Sequence, residues 1–445
     1  MKKGITSSLL AFGLIVSANL GAADDLSSMF KEGKASGQIR EFSISRSYKF
    51  SDPTKNNYTR DANAIGGYLK YETADYKGLS LGAAFYTTNG FALESPKTDY
   101  TKVDPTLLGP NNDSYSMLGE AYVQFKYENT TFKGGRQKLN TPLAGSDDAR
   151  MLPNLFEAYL LVNTDLPDTT LVAGHVTRFA QGTFGRVYNG GILAVTSGYS
   201  MVDSRDQVGS FVNMGTYAIG QSTNGVSVVS ATYTGVKNLK VQLWDYYAHD
   251  ILNAVYGEVN YSMPLESMSP YVAAQFIKEN EVGDKLAGNV DGFYAGAKLG
   301  VKVANFNVYA AYSETSKNSA TDAASANAII TPWGGMPAYT QGMVTRHMFL
   351  AGTKASKAAL SYDWKEFGQK LTTAVYYTNY DMAVNNGYTY GDASEAGFDV
   401  IYYPSVIKNL QVRLRGNFTN DFNVAQTTKY TAEWDEYRFI LNYNF

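Results

Sequence analysis

The chain has 445 residues, with 38 Lys+Arg against 41 Asp+Glu for a formal charge of −3, three His and no Cys. This excludes disulfide and thiolate chemistry and argues against nucleic acid as the main partner. Its 35 Tyr outnumber the 22 Phe and 4 Trp together, 18% of residues are charged, and mean hydropathy is −0.25; this excludes a helical membrane protein, which needs runs of about 20 apolar residues, and a disordered chain, which lacks aromatics.

At the N-terminus, Met1-Lys2-Lys3, the apolar stretch Leu9 to Val16 and the small residues Ala18, Gly21, Ala22 and Ala23 have the layout of a secretory signal peptide. The expected organisation is a leader over 1–23, cleaved near Ala23, and a single domain over 24–445. An uncleaved anchor is the competing reading, disfavoured by the short apolar core that ends in Ala and Gly. Beyond residue 23 there is no apolar run of about 18 residues that could cross a bilayer as a helix.

From there on, apolar and polar residues alternate with period two in segments separated by Gly, Asn, Asp, Pro and Ser. Strands are expected near 36–47, 63–75, 79–88, 115–128, 131–138, 155–163, 169–177, 226–234, 239–247, 253–262, 270–278, 292–303, 306–314, 357–364, 371–380, 396–403, 410–418 and 434–445, eighteen in all. The last is the clearest: Tyr437, Phe439, Leu441, Tyr443 and Phe445 on one parity oppose Glu436, Arg438, Ile440, Asn442 and Asn444 on the other. Two such faces need two different solvents.

Short connections such as 76–78, 129–130 and 304–305 alternate with long ones such as 89–114, 178–225 and 315–356. That rhythm predicts an all-β fold: a transmembrane antiparallel β-barrel of 18 strands, with short periplasmic turns, long extracellular loops and both termini on the short-turn side. In hydrocarbon every backbone N–H and C=O must be paired within the protein, and a closed sheet is the only β solution. Tyr and Phe then belong at the two water–lipid borders. A tyrosine-rich binding surface is the competing reading of the Tyr excess.

Several stretches resemble the OprD family of outer-membrane porins. Arg40-Glu41-Phe42-Ser43-Ile44-Ser45-Arg46 is similar to that family's opening R-x-F-x-F-x-R strand, with Ile44 in place of the second aromatic. Asp148-Ala149-Arg150-Met151-Leu152-Pro153-Asn154-Leu155-Phe156 resembles its D-x-R-x-L-P-x-x-F stretch at the end of the third long loop. Tyr246 to Ile251 with Tyr261 to Leu265 resembles a central hairpin, and Leu410 to Arg415 and Glu436 to Leu441 resemble the last two strands. The terminal Asn444-Phe445 departs from the pattern of the pseudomonad members and points to a distant branch. The resemblance implies an eighteen-stranded pore in the outer membrane of a Gram-negative bacterium, often a homotrimer. Such pores have loops folded inward and an arginine-lined track, and they pass small polar solutes, frequently carboxylates.

Parity gives a separate expectation for that track. Arg413 and Arg415 share the polar face of the seventeenth strand and Arg438 that of the eighteenth, so the three should stand side by side in the lumen. Barrel closure brings Arg40 beside them, although Phe42 and Ile44 share its parity and leave its facing open between the pore and a membrane rim. A stripe of guanidinium groups favours anions, because Arg stays charged and offers paired donors to a carboxylate. Alternatively, these arginines are ion-paired to Glu436, Glu433 or loop acids and hold the wall together. By resemblance, the loop 139–154 with Asp147, Asp148 and Arg150 forms a constriction, its carboxylates facing the arginines; alternatively, Asp147 and Asp148 cap a turn. The loop 315–356, with Trp333, Gly334, Gly335 and Pro337, is expected to contribute or to be a variable surface loop.

No enzyme constellation is present in the sequence: His175, His249 and His347 are isolated, and P-loop and nucleophile-elbow motifs are missing. No catalytic residue, metal ligand or cofactor is therefore expected; the partners are outer-membrane lipid and small polar or anionic solutes. The alternatives are an outer-membrane lipid hydrolase with His175 on the outer wall, for which a satisfied rim histidine is the plainer reading, and a surface-binding adhesin using the long loops.

Overall fold

The computed structural model describes residues 22–90, 102–184, 208–343, 345–383, 385–386, 391–422 and 430–445. Nearly all of the expected leader therefore lies outside the described residues. The alternating segments form strands β1 (Lys34–Phe50), β2 (Tyr58–Glu72), β3 (Leu79–Gly90), β4 (Tyr115–Tyr127), β5 (Thr130–Gln137), β6 (Leu155–Asn163) and β7 (Thr169–Ala180). After the two-residue β8 (Val212–Asn213) come β9 (Val226–Tyr233), β10 (Leu239–Ala248), β11 (Leu252–Ser262), β12 (Met268–Glu281), β13 (Phe293–Val303) and β14 (Phe306–Thr315). The series ends with β15 (Lys354–Asp363), β16 (Leu371–Met382), β17 (Gly391–Tyr402), β18 (Leu410–Asn420) and β19 (Ala432–Asn444).

Consecutive strands pair antiparallel, β7 pairs with β9 past the short β8, and β1 pairs with β19, so eighteen strands close into a barrel. Each of the eighteen expected segments corresponds to one of them. The widest boundary differences are at the starts of β2, at Tyr58 rather than near 63, and of β17, at Gly391 rather than near 396, where the polar run 391–395 continues the ladder opposite β16.

One rim carries connections of two to seven residues. In its two-residue turns, Glu128 (φ 49°) and Ala304 (φ 48°) occupy the left-handed region that matches the strand twist. The other rim carries the long connections, with two departures from the expected rhythm: 51–57 and 249–251 are short. Asp250 at φ 63° lets β10 return directly into β11.

Parity sorts the wall into two faces. On β19, Glu436, Arg438 and Ile440 are buried while Tyr437, Phe439 and Tyr443 are exposed. The hydrophobic core sits inside the barrel near the long-loop rim, where Trp333, Phe179, Tyr217, Trp244 and Phe349 pack together. Loop segments 138–154 and 316–353, with the short helix α1 (Met214–Ile219), thus fold inward and replace water over part of the bore. No helix among the described residues is long and apolar enough to cross a membrane.

Candidate functional site

Glu436 on β19 is the centre of a buried ion cluster. It accepts from Arg46 Nε at 2.7 Å, from Arg150 Nη2 at 2.9 Å and from Arg438 two residues along its own strand. Arg46 also lies 3.1 Å from Asp104, and Arg150 Nε donates to Thr106 at 3.0 Å. All of these charged side chains are 3% exposed or less. Charges withdrawn from water this far are tolerable only when paired and hydrogen-bonded, and here the pairing ties two long loops to the wall.

Arg40 makes a second tie. Its Nε donates to Asn442 at 2.7 Å, and its Nη1 lies 2.6 Å from Asp148 and 2.5 Å from the Arg150 carbonyl. Enclosure opposes ionisation of Asp148, but the Arg40 guanidinium, with Lys138 and Arg413 beyond it, outweighs that and holds the carboxyl below the usual carboxylate range.

The two inward loops also join each other. Asp147 pairs with Arg346 at 3.1 Å and accepts from the Gly335 N–H at 3.1 Å, while Gly145 N–H donates to the Trp333 carbonyl at 3.2 Å. The backbones approach so closely that a Cβ on Gly145 would lie 2.8 Å from Gly335 N, and Gly335 has φ 75°. Only glycine fits this junction.

Between the inward loop 316–353 and the inner face of β12 to β18 a space stays open. A cavity of about 490 Å³ is bordered by Tyr271, Lys298, Tyr309, Tyr339, Lys357 and Arg415, and an adjoining space of about 290 Å³ reaches Tyr376 and Asp399. Lys298 Nζ lies 4.2 Å from the centre of the Tyr339 ring and Lys357 Nζ 4.6 Å from that of Tyr376, cation–π distances that hold both ammonium groups without neutralising them. Arg413 meets Asp399 through both Nε (2.8 Å) and Nη2, and Arg415 Nε is 3.2 Å from the same carboxylate. Arginine here presents its paired donors to a carboxylate of the wall, the geometry a solute carboxylate would need.

The structure thus divides the residues singled out in the sequence between the cavity and the ion-paired cluster beside it. Arg415 and Arg438 stand directly opposite in the β18–β19 register, with Arg415 at the cavity and Arg438 enclosed at 1% exposure. Arg40 faces inward, because Phe42 and Ile44 on its parity are covered by Leu107, Leu108, Met151 and Leu152 rather than by lipid. Asp147 and Asp148, though adjacent, point to different partners, Arg346 and Arg40. Trp333 is buried and donates to the Met214 carbonyl at 3.1 Å. Sequence reasoning gave Arg46 only as the end of the opening strand motif and passed over Asp104, Arg346, Lys298 and Lys357. Parity could have found Lys298, which alternates with Tyr294, Gly296 and Lys302; nothing periodic marks Arg346 in its loop.

His175 lies on the outer face of β7, since Val172 and Val176 face in. Its Nδ1 is 3.2 Å from Ser227 Oγ, which is 3.0 Å from His249 Nε2. His347 is buried against Tyr380 and Phe422. Among the described residues no group of three or more His, Asp or Glu could hold a metal ion.

The model of the family described as outer membrane porin, OprD family, matches residues 28–445. Porin D of Pseudomonas aeruginosa is 24% identical over 267 residues, 58% of this chain and 55% of that protein, so the chain spans just over half the length of this curated relative. Among solved structures, P. aeruginosa OccK9 (OpdG) aligns with a TM-score of 0.75 at 18% identity, covering 94% of this chain and 99% of that one. P. aeruginosa OpdK with vanillate aligns at 0.73 and 16% identity, and OccK2 (OpdF) in complex with glucuronate at 0.69 and 17%, each with the same coverage. At these identities the likeness is one of fold.

Proposed function

The chain belongs to the OprD family of outer-membrane porins, and from that membership we propose that it is a passive, partly selective channel of the Gram-negative outer membrane. It passes small hydrophilic solutes and favours those carrying a carboxylate. The observation that carries this reading is the cavity of about 490 Å³ bordered by Lys298, Lys357 and Arg415 beside a packed, ion-paired wall. Vanillate and glucuronate, held by two structures of this fold, are both carboxylates.

In this reading an anion moves along the basic side of the bore. Arg413 and Arg415 offer it donors in exchange for Asp399, and the tyrosines supply flat apolar faces and hydroxyl tips. Arg40 and Arg438 belong to the same track as fixed positive charge behind the constriction, which Asp147, Asp148 and Arg150 hold in place. The outer wall contacts lipid, the barrels assemble as homotrimers, the leader is cleaved near Ala23, and transport needs no cofactor.

The protein is not an enzyme in this reading. The arrangement of His175, Ser227 and His249 favours the lipid hydrolase as the second reading, since a hydroxyl between imidazoles on a lipid-facing wall is where such a nucleophile would stand. Planar-bilayer recordings separate the two. Discrete conductance steps, blocked by glucuronate more strongly than by glucose, are expected; a non-conducting protein that releases fatty acid from phospholipid, and loses this with His175→Ala, would overturn the channel.

A further inference from the structure

The outer wall is not uniformly suited to lipid. Over β13 to β18 it presents Leu299, Val308, Leu360, Val375 and Leu414. On β1, by contrast, the residues alternating with buried Phe42 and Ile44 are Glu41, Ser43 and Ser45. Glu41 stands in register with Leu441 on one side and Ile65 on the other, and the same face of β19 carries Tyr443 towards one rim and Tyr437 towards the other. Glu41 is part-buried, and its Oε1 accepts from Ser43 at 2.6 Å. A carboxylate at this depth of a lipid-facing wall is costly, and such residues mark contacts with something other than hydrocarbon. Beside it Gly67, at φ 127°, is required by the sheet itself, since β1 and β2 approach so closely that a Cβ there would lie 1.9 Å from the Gln38 carbonyl.

The complementary charge is on the same chain. Arg136 on β5 and Arg178 on β7 face outward, each 3.8 Å from Glu157, so two guanidinium groups share one carboxylate. Arg136 is six residues from the start of β5 and Glu41 seven from the start of β1, both counted from the short-turn rim, which sets them at similar depth. We propose that the β1–β2 outer face docks against the β5–β7 outer face of a second copy of this chain, Glu41 of one copy meeting Arg136 and Arg178 of the next. Two different patches on one chain make a head-to-tail contact, which repeats until the ring closes. The proposal rests on the membrane-spanning porin reading and gives its assembly a specific surface.

Native mass spectrometry of the full chain in mild detergent tests it. The wild type is expected as a closed oligomer, Glu41→Arg and Arg136→Glu each to raise the monomer fraction at least tenfold, and the double swap Glu41→Arg/Arg136→Glu to restore the oligomer. Because the chain has no Cys, Ser43→Cys with Arg178→Cys should form an intermolecular disulfide in the intact membrane, a readout that does not depend on the charge variants folding. A monomeric wild type, an oligomer unmoved by Glu41→Leu, or no cross-link would overturn the interface. Conductance measured on the same samples keeps the two readings apart: conducting monomers sink only the interface, whereas a wild type that does not conduct sinks the channel.

Discussion

Arg150 and Glu436 meet at 2.9 Å with neither side chain exposed to solvent, although 286 positions separate them in the chain. Arg150 comes from an inward loop and Glu436 from the last strand. The contact therefore decides whether that loop stays inside the bore.

Removing the acid of this cluster should open the channel. Glu436→Gln leaves Arg46, Arg150 and Arg438 without their common counter-charge, and breaking a buried pair from one side costs about 3–5 kcal/mol. A lower thermal midpoint in detergent is expected, together with larger and noisier single-channel conductance. Unchanged values in both would show that the loop is held by its apolar contacts alone.

The open side should control charge preference. Arg413→Gln combined with Arg415→Gln removes two guanidinium groups that share Asp399. The ratio of anion to cation permeability should fall roughly two- to fivefold, the effect of partly solvated charges worth about 0.5–1 kcal/mol. The measurement is the reversal potential across a salt gradient.

Lys298→Met and Lys357→Met act on the same cavity through the residues that the sequence reading missed. Each keeps most of the stem packed on tyrosine while removing the charge. Block by glucuronate should weaken by roughly three- to tenfold in each variant, with conductance of small ions changing less, if each ammonium contributes about 1 kcal/mol to a bound carboxylate. Equal losses of glucuronate and glucose block would point to a change of pore shape instead.

The Asp148 tether sets the pH response. Its carboxyl titrates below the usual carboxylate range, so the stabilisation from its pair with Arg40 is fully present above the ordinary carboxylate pKa of about 3.9 and is lost only as pH falls through the depressed value. Conductance should stay flat from pH 8 to about 5 and change in stronger acid. Asp148→Asn should reproduce the acid behaviour at pH 7, and a titration centred near pH 6 would contradict the assignment.

Much of the fold was legible because a barrel wall between lipid and water imposes period two, as Tyr437 to Phe445 against Glu436 to Asn444 shows. Where loops fold inside, the code fails: Phe42 and Ile44 are apolar on a lumen-facing parity because Leu107 and Leu152 cover them, and that cover left Arg40's facing open. The cluster at Glu436 joins β1, β19 and two loops, and no local pattern pairs Arg46 with Asp104 or Asp147 with Arg346. Lys298 differs from these, because its parity on β13, shared with Tyr294 and Lys302, marks it as facing the bore. The short 249–251 turn broke the expected rhythm through the backbone of a single residue, Asp250.

The cavity beside Lys298, Lys357 and Arg415 is walled on one side by the inward loop 316–353, whose Ala338, Tyr339 and Met343 line it. That loop takes no part in the cluster at Glu436, which is built from β1, β19 and two other segments. Mutational drift in one stretch of chain can therefore exchange one clientele for another while the ion-paired hinge is left as it was.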